Sequence, residues 1–63
     1  MKVNGETVED FGGNLLAFLE ENGYRPQHVV CERNGEIITG EHFAETALAP
    51  TDDINILHFM GGG

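Results

Sequence analysis

The sequence predicts an α+β domain, with four to five short strands in one mixed sheet, one main helix against one face and the other face open. Three observations carry this. Of the three Asn-Gly pairs, two, Asn4-Gly5 and Asn34-Gly35, stand between strand-like residues. Only Asn14 to Gly23 combines an apolar stripe at helical spacing with a capping residue and a stop glycine. Near its end the chain carries "DDINILHFM", a strand-like run that is apolar on both faces.

Each element follows from local chemistry. Asn-Gly favours a type I′ turn, which needs positive φ at both central positions, so Val3 and Thr7-Val8 flank a first hairpin. "FGG" breaks that pattern. In "NLLAFLEENG", Asn14 caps the helix, Leu15, Leu16, Phe18 and Leu19 form its stripe, and Gly23 stands where a C′ glycine belongs. Glu20 and Glu21 near its C-terminus oppose the helix dipole, so local electrostatics do not explain them. Tyr24 to Gln27 connect, with Pro26 preventing helix continuation. "HVVCER" and "EIIT" then form the second hairpin around Asn34-Gly35. "GEHFAETAL" is a short helical candidate closed by Pro50, and the last strand comes after it. The predicted order is β-β-α-β-β-β.

One helix covers one face of a sheet, and strand side chains alternate between faces. Ile54, Ile56, Val29 and Cys31 are therefore assigned to the core with Leu15, Leu16 and Leu19, His58 sharing the face of Ile54 and Ile56. Leu57, Phe59 and Val30 fall on the outer face, where a contiguous apolar patch marks a binding surface. Burial of both faces, common for a central strand, is the competing expectation.

Composition narrows the function. The chain has 63 residues, 40% hydrophobic and 22% charged, enough for one small core. Eleven acidic residues against three Lys and Arg give a net charge of −8. That disfavours nucleic acid and anionic membranes, and favours a basic protein partner. A single cysteine excludes an internal disulfide. No run reaches transmembrane length and the N-terminus lacks the apolar core of a signal peptide, so a cytoplasmic location is expected.

Side chains offer no catalytic constellation. Cys31 lies mid-strand beside Val30 and is expected to be a small core residue rather than a nucleophile. His28, His42 and His58 are scattered without metal-ligand spacing. Asp52-Asp53 is expected as a solvated turn, and "FGGN" lacks the lysine of a phosphate-binding loop.

The sequence ends "HFMGGG". Three glycines reach roughly 10 Å when extended, and without Cβ atoms they fit a narrow channel. They carry a carboxylate, a poor electrophile that becomes reactive once activated, for instance as an acyl-adenylate. The expected division is a folded domain over 1–60 and a flexible tail over 61–63.

Together, "VNGE", "NLLAFLEENG", "VVCERNGEII" and "DDINILHFMGGG" resemble the ThiS family of thiamine-biosynthesis sulfur carriers, in the ubiquitin-like β-grasp (ThiS/MoaD) superfamily. The likeness spans essentially the whole chain, with Ile54, Ile56, Phe59 and Gly61 to Gly63 matching the family's terminal pattern. Asp52-Asp53 departs from the family's usual Gly-Asp, and Asn14 replaces a frequent Thr or Ser. The resemblance implies a carrier rather than an enzyme, with no bound cofactor. An E1-like enzyme (ThiF type) would use ATP to adenylate the Gly63 carboxylate. A sulfur donor such as a cysteine desulfurase would convert it to a thiocarboxylate for delivery to a thiazole synthase (ThiG type). Gly61 and Gly62 would supply reach, and Leu57, Phe59 and Val30 the docking surface. Sulfur delivery to molybdopterin or tRNA, or a ubiquitin-like interaction module, are the alternative expectations.

Overall fold

The computed structural model describes residues 1–59. The expectations for Met60 and Gly61–Gly63 lie outside the described residues. Strands β1 (Lys2–Val3) and β2 (Glu6–Thr7) precede helix α1 (Leu15–Glu21). A 3₁₀ turn (Pro26–His28) leads into β3 (Val29–Arg33) and β4 (Glu36–Ile38). A second 3₁₀ segment (Gly40–Glu45) precedes β5 (Asp53–His58). The five strands lie in the order β2-β1-β5-β3-β4. β1 and β5 run parallel and the other neighbours antiparallel, so the sheet is mixed, with β5 at its centre.

Both hairpins turn as their Asn-Gly pairs dictate. φ is 52° and 86° at Asn4-Gly5, and 54° and 89° at Asn34-Gly35. The two asparagines also do a second job on β5. Asn4 Oδ1 accepts from the Ile56 N–H at 2.8 Å, and Asn34 Oδ1 accepts from the Asp53 N–H at 2.9 Å. Each supplies an acceptor where the neighbouring strand has just turned away, so the central strand keeps no orphaned donor there.

Helix α1 is closed at both ends. Asn14 Oδ1 accepts from the Ala17 N–H at 3.1 Å, and its Nδ2 donates to the Ala44 carbonyl at 2.7 Å. At the C-terminus Gly23 adopts φ 83°, with its N–H on the Glu20 carbonyl and the Tyr24 N–H on that of Leu19. This pair of bonds is a Schellman motif.

The core lies between α1 and one sheet face. Leu15, Leu19, Cys31, Phe43 and Ile54 are wholly buried, joined by Val29, Phe18, Val3, Met1, Ile38 and Ile56. Leu16 differs from expectation: it is only partly buried, packed at the core's edge, while Phe43 from the 3₁₀ segment fills the space beside α1. Pro26 opens a 3₁₀ turn instead of merely stopping a helix, its missing N–H costing nothing at that position. His28 closes that turn, so β3 starts one residue later than the apolar run suggested.

Asp52 is the main correction. It is buried rather than solvated. Its Oδ2 accepts from the Ala49 N–H at 2.9 Å, its Oδ1 from Asn34 Nδ2 at 3.0 Å, and the Arg33 guanidinium stands 3.9 Å away. Arg33 also donates to the Ala47 carbonyl at 2.9 Å. The acid thus staples the segment before β5 to the β3–β4 hairpin. Asp53, its neighbour, is exposed as expected.

Candidate functional site

Alternation divides β5 as expected. Ile54 is fully buried and Ile56 is 7% exposed, whereas Leu57 is 48% and Phe59 46% exposed. Val30 sits opposite Leu57 across the β3–β5 ladder and is half-buried. The structure therefore brings Leu57, Phe59 and Val30 together on the open face, at the end of the sheet where the chain continues to its terminus. Ile37, 55% exposed, extends the patch on β4, diagonal to Val30 through the Glu32–Ile37 pair. The sequence signal for Ile37 was present: in the adjacent pair Ile37-Ile38 only one side chain can enter the core, and Ile38 does.

The patch has a polar border. Asn55, on the same face of β5, donates from Nδ2 to Glu32 Oε1 at 3.1 Å. Lys2 pairs in register with Asp53 further along. The outer face thus grades from charged at the β1–β2 side to apolar at the end of β5. Such a surface suits protein docking: an apolar centre desolvates and a polar rim sets orientation.

Beyond the strand, the Phe59 N–H donates to the His28 carbonyl at 3.1 Å, one last rung of the β3–β5 ladder. On the core side, the rings of His58 and Tyr24 lie 5.6 Å apart with a tilt of 32°. The last described residues of the chain are therefore bounded by an apolar patch on one face and a ring pair on the other.

The chemistry available from side chains here is slight. Cys31 is fully buried, and burial pushes its thiol up to about 11, so it stays protonated at neutral pH. His42 is exposed beside Glu41 at 3.6 Å and Glu45 at 3.9 Å, while His28 and His58 lie on separate elements near the end of β5. Among the described residues no group of three or more His, Cys, Asp or Glu is arranged to hold a metal ion. Nor is any described helix long and apolar enough to cross a membrane. The arrangement can dock a protein and present to it the chain beyond Phe59.

Comparison with known proteins matches this geometry. The ThiS family matches residues 1–63. A sulfur carrier protein ThiS of Bacillus subtilis is 51% identical over 65 aligned positions, covering 100% of this chain and 98% of that one. A thiazole synthase of Magnetococcus marinus is 32% identical over 62 residues, 97% of this chain, which spans only 19% of that protein's length. Among solved structures, the crystal structure of a thiamine biosynthesis protein (ThiS) from Geobacter metallireducens superposes with a TM-score of 0.75 at 33% identity. It covers 98% of this chain and 96% of that one.

Proposed function

The chain belongs to the ThiS family of sulfur carrier proteins, and on that premise we propose that its working group is the carboxylate of Gly63. The family's members are carriers, not enzymes, and bind no cofactor. The observation that carries the proposal is the exposure of Leu57 on β5 and of Phe59 just past it, with only Met60 between Phe59 and Gly61–Gly63 in the sequence.

A carboxylate resists nucleophiles because its charge must be overcome and oxide is a poor leaving group. An E1-like partner removes both obstacles. The Gly63 carboxylate attacks the α-phosphorus of ATP, pyrophosphate leaves, and an acyl-adenylate forms. A persulfide sulfur supplied by a cysteine desulfurase attacks the acyl carbon and AMP leaves. A thiol then reduces the resulting acyl disulfide, forming a new disulfide and releasing the thiocarboxylate. The chain contributes no acid or base to these steps. It contributes a tail without Cβ atoms, from Gly61 and Gly62, and a docking surface of Leu57, Phe59 and Val30.

The acceptor proposed for the sulfur is thiazole synthase. Support comes from the thiazole synthase whose own chain includes a region similar to this one. Joined covalently there, the two parts would be held by docking here, through the outer face.

The test is intact mass spectrometry of the chain after incubation with ATP, an E1-like enzyme, a desulfurase and cysteine. Exchange of one oxygen for sulfur at Gly63 is expected, abolished by deleting Gly62-Gly63. An unchanged mass with the cognate activating enzyme would rule the proposal out. Recovery of thiazole synthase on the immobilised chain is the matching test for the acceptor.

A further inference from the structure

The end of β5 is held differently from the rest of the strand. On its β1 side, pairing covers Asp53 and Ile54, and Asn4 Oδ1 extends it to the Ile56 N–H. Beyond Ile56, the described pairing is with β3 alone. In that antiparallel ladder, hydrogen-bonded and non-bonded pairs alternate. Asn34 donates to Asp53 and Phe59 to His28, so Val29–His58 falls in a non-bonded position. His58 therefore takes no backbone bond from β3, and its side chain is exposed rather than buried in the core. Its described side-chain contact is the Tyr24 ring, 5.6 Å away.

Tyr24, by contrast, is fixed. Its N–H closes the Schellman motif of α1 at 2.9 Å, a geometry that Gly23 permits through φ 83°, and its side chain packs on the core. The rigid end of the helix thus reaches the loosely paired end of the strand through two rings. Phe59, whose N–H makes the last rung, is the next residue along.

We propose that Tyr24 and His58 are positioning residues that fix the place of Phe59, from which the sequence runs on to Gly63. This rests on Gly63 being the reacting group. Loss of the ring contact loosens His58 and the Phe59 rung next to it, so the last described residues no longer hold one position against α1. A less fixed starting point lowers the share of docked complexes in which the carboxylate reaches reacting geometry at the partner's active site. Docking through Leu57 and Val30, which face the other way, is kept, and only the share that Phe59 supplies is weakened.

The experiment measures thiocarboxylate formation against chain concentration for wild type, His58→Ala, His58→Phe, Tyr24→Ala and Tyr24→Phe, with the Phe59 amide followed by hydrogen exchange. The expected result for both alanine variants is a kcat lower by about fivefold, a KM raised by clearly less than that, and faster Phe59 exchange. Exchange at Cys31 and Ile56 stays protected, and both phenylalanine variants return to the wild-type rate. Since His58 is exposed, His58→Ala breaks the contact without touching the core, and tests the proposal even where Tyr24→Ala unfolds. Wild-type kcat in His58→Ala, a loss expressed in KM alone, or phenylalanine variants as slow as alanine would overturn it. Failure of wild type to gain sulfur overturns the function and this role with it. A converting wild type beside equally fast variants overturns the positioning role alone.

Discussion

Asn34 donates from Nδ2 to the buried Asp52 carboxylate at 3.0 Å, while its Oδ1 accepts from the Asp53 N–H at 2.9 Å. An amide satisfies both demands; a carboxylate satisfies one. Asn34→Asp therefore sets two carboxylates against each other at a partly buried site and should cost about 1–3 kcal/mol. Asn4 uses only its acceptor, toward the Ile56 N–H. Asn4→Asp should accordingly cost less than about 1 kcal/mol. Urea midpoints of the two variants measure the difference, and equal losses would show that the Asp52 contact contributes nothing.

Leu57→Asp should separate binding from folding. Leu57 is 48% exposed, so the substitution empties no core space and is expected to change stability by less than about 1 kcal/mol. Placing a charge in a desolvated docking centre should weaken binding to the activating enzyme at least about tenfold. Titration calorimetry alongside thermal unfolding gives both numbers. Ile37→Asp, on the same face, should act in the same direction.

Cys31 makes stability pH-dependent in the alkaline range. Burial raises its thiol from 9.0 to about 11 in the folded chain. Between those values the unfolded chain loses a proton that the folded chain keeps, so the folded state is progressively disfavoured. Its contribution is intact below pH 9 and is lost as pH rises toward 11, at up to about 1.4 kcal/mol per unit. Denaturation curves should show this fall in wild type and a shallower one in Cys31→Ala. At neutral pH a thiol reagent should modify Cys31 only after denaturant is added.

The 3₁₀ segment is a structural keystone despite its irregular geometry. Phe43 is fully buried, and its removal should cost about 3–5 kcal/mol. In a domain this small that approaches the whole stability, so circular dichroism of Phe43→Ala should show a largely unfolded chain. Asn14→Ala should be milder, about 1–2 kcal/mol, through loss of the cap on Ala17 and the tie to Ala44.

Local chemistry alone determined much of this protein. Asn-Gly between strand-like residues specified both hairpin turns, because few other dipeptides accept positive φ twice. Asn14 and Gly23 delimited α1, and period-two alternation assigned Ile54 and Ile56 to the core and Leu57 and Phe59 to the open face. These are contacts within a few residues or periodicities along one strand, so a linear sequence displays them. The resemblance of the terminal pattern to ThiS sequences pointed to the carrier role. What tertiary structure decided depends on residues far apart in the chain. Asp52 looks like any surface acid until Asn34, Arg33 and the Ala49 N–H converge on it. Phe43 carries no strand or helix periodicity to betray its burial. Tyr24 and His58 meet only because the helix end and the strand end arrive at the same place. Such burial and pairing are set by the packing of one element on another, a property that no window of sequence contains.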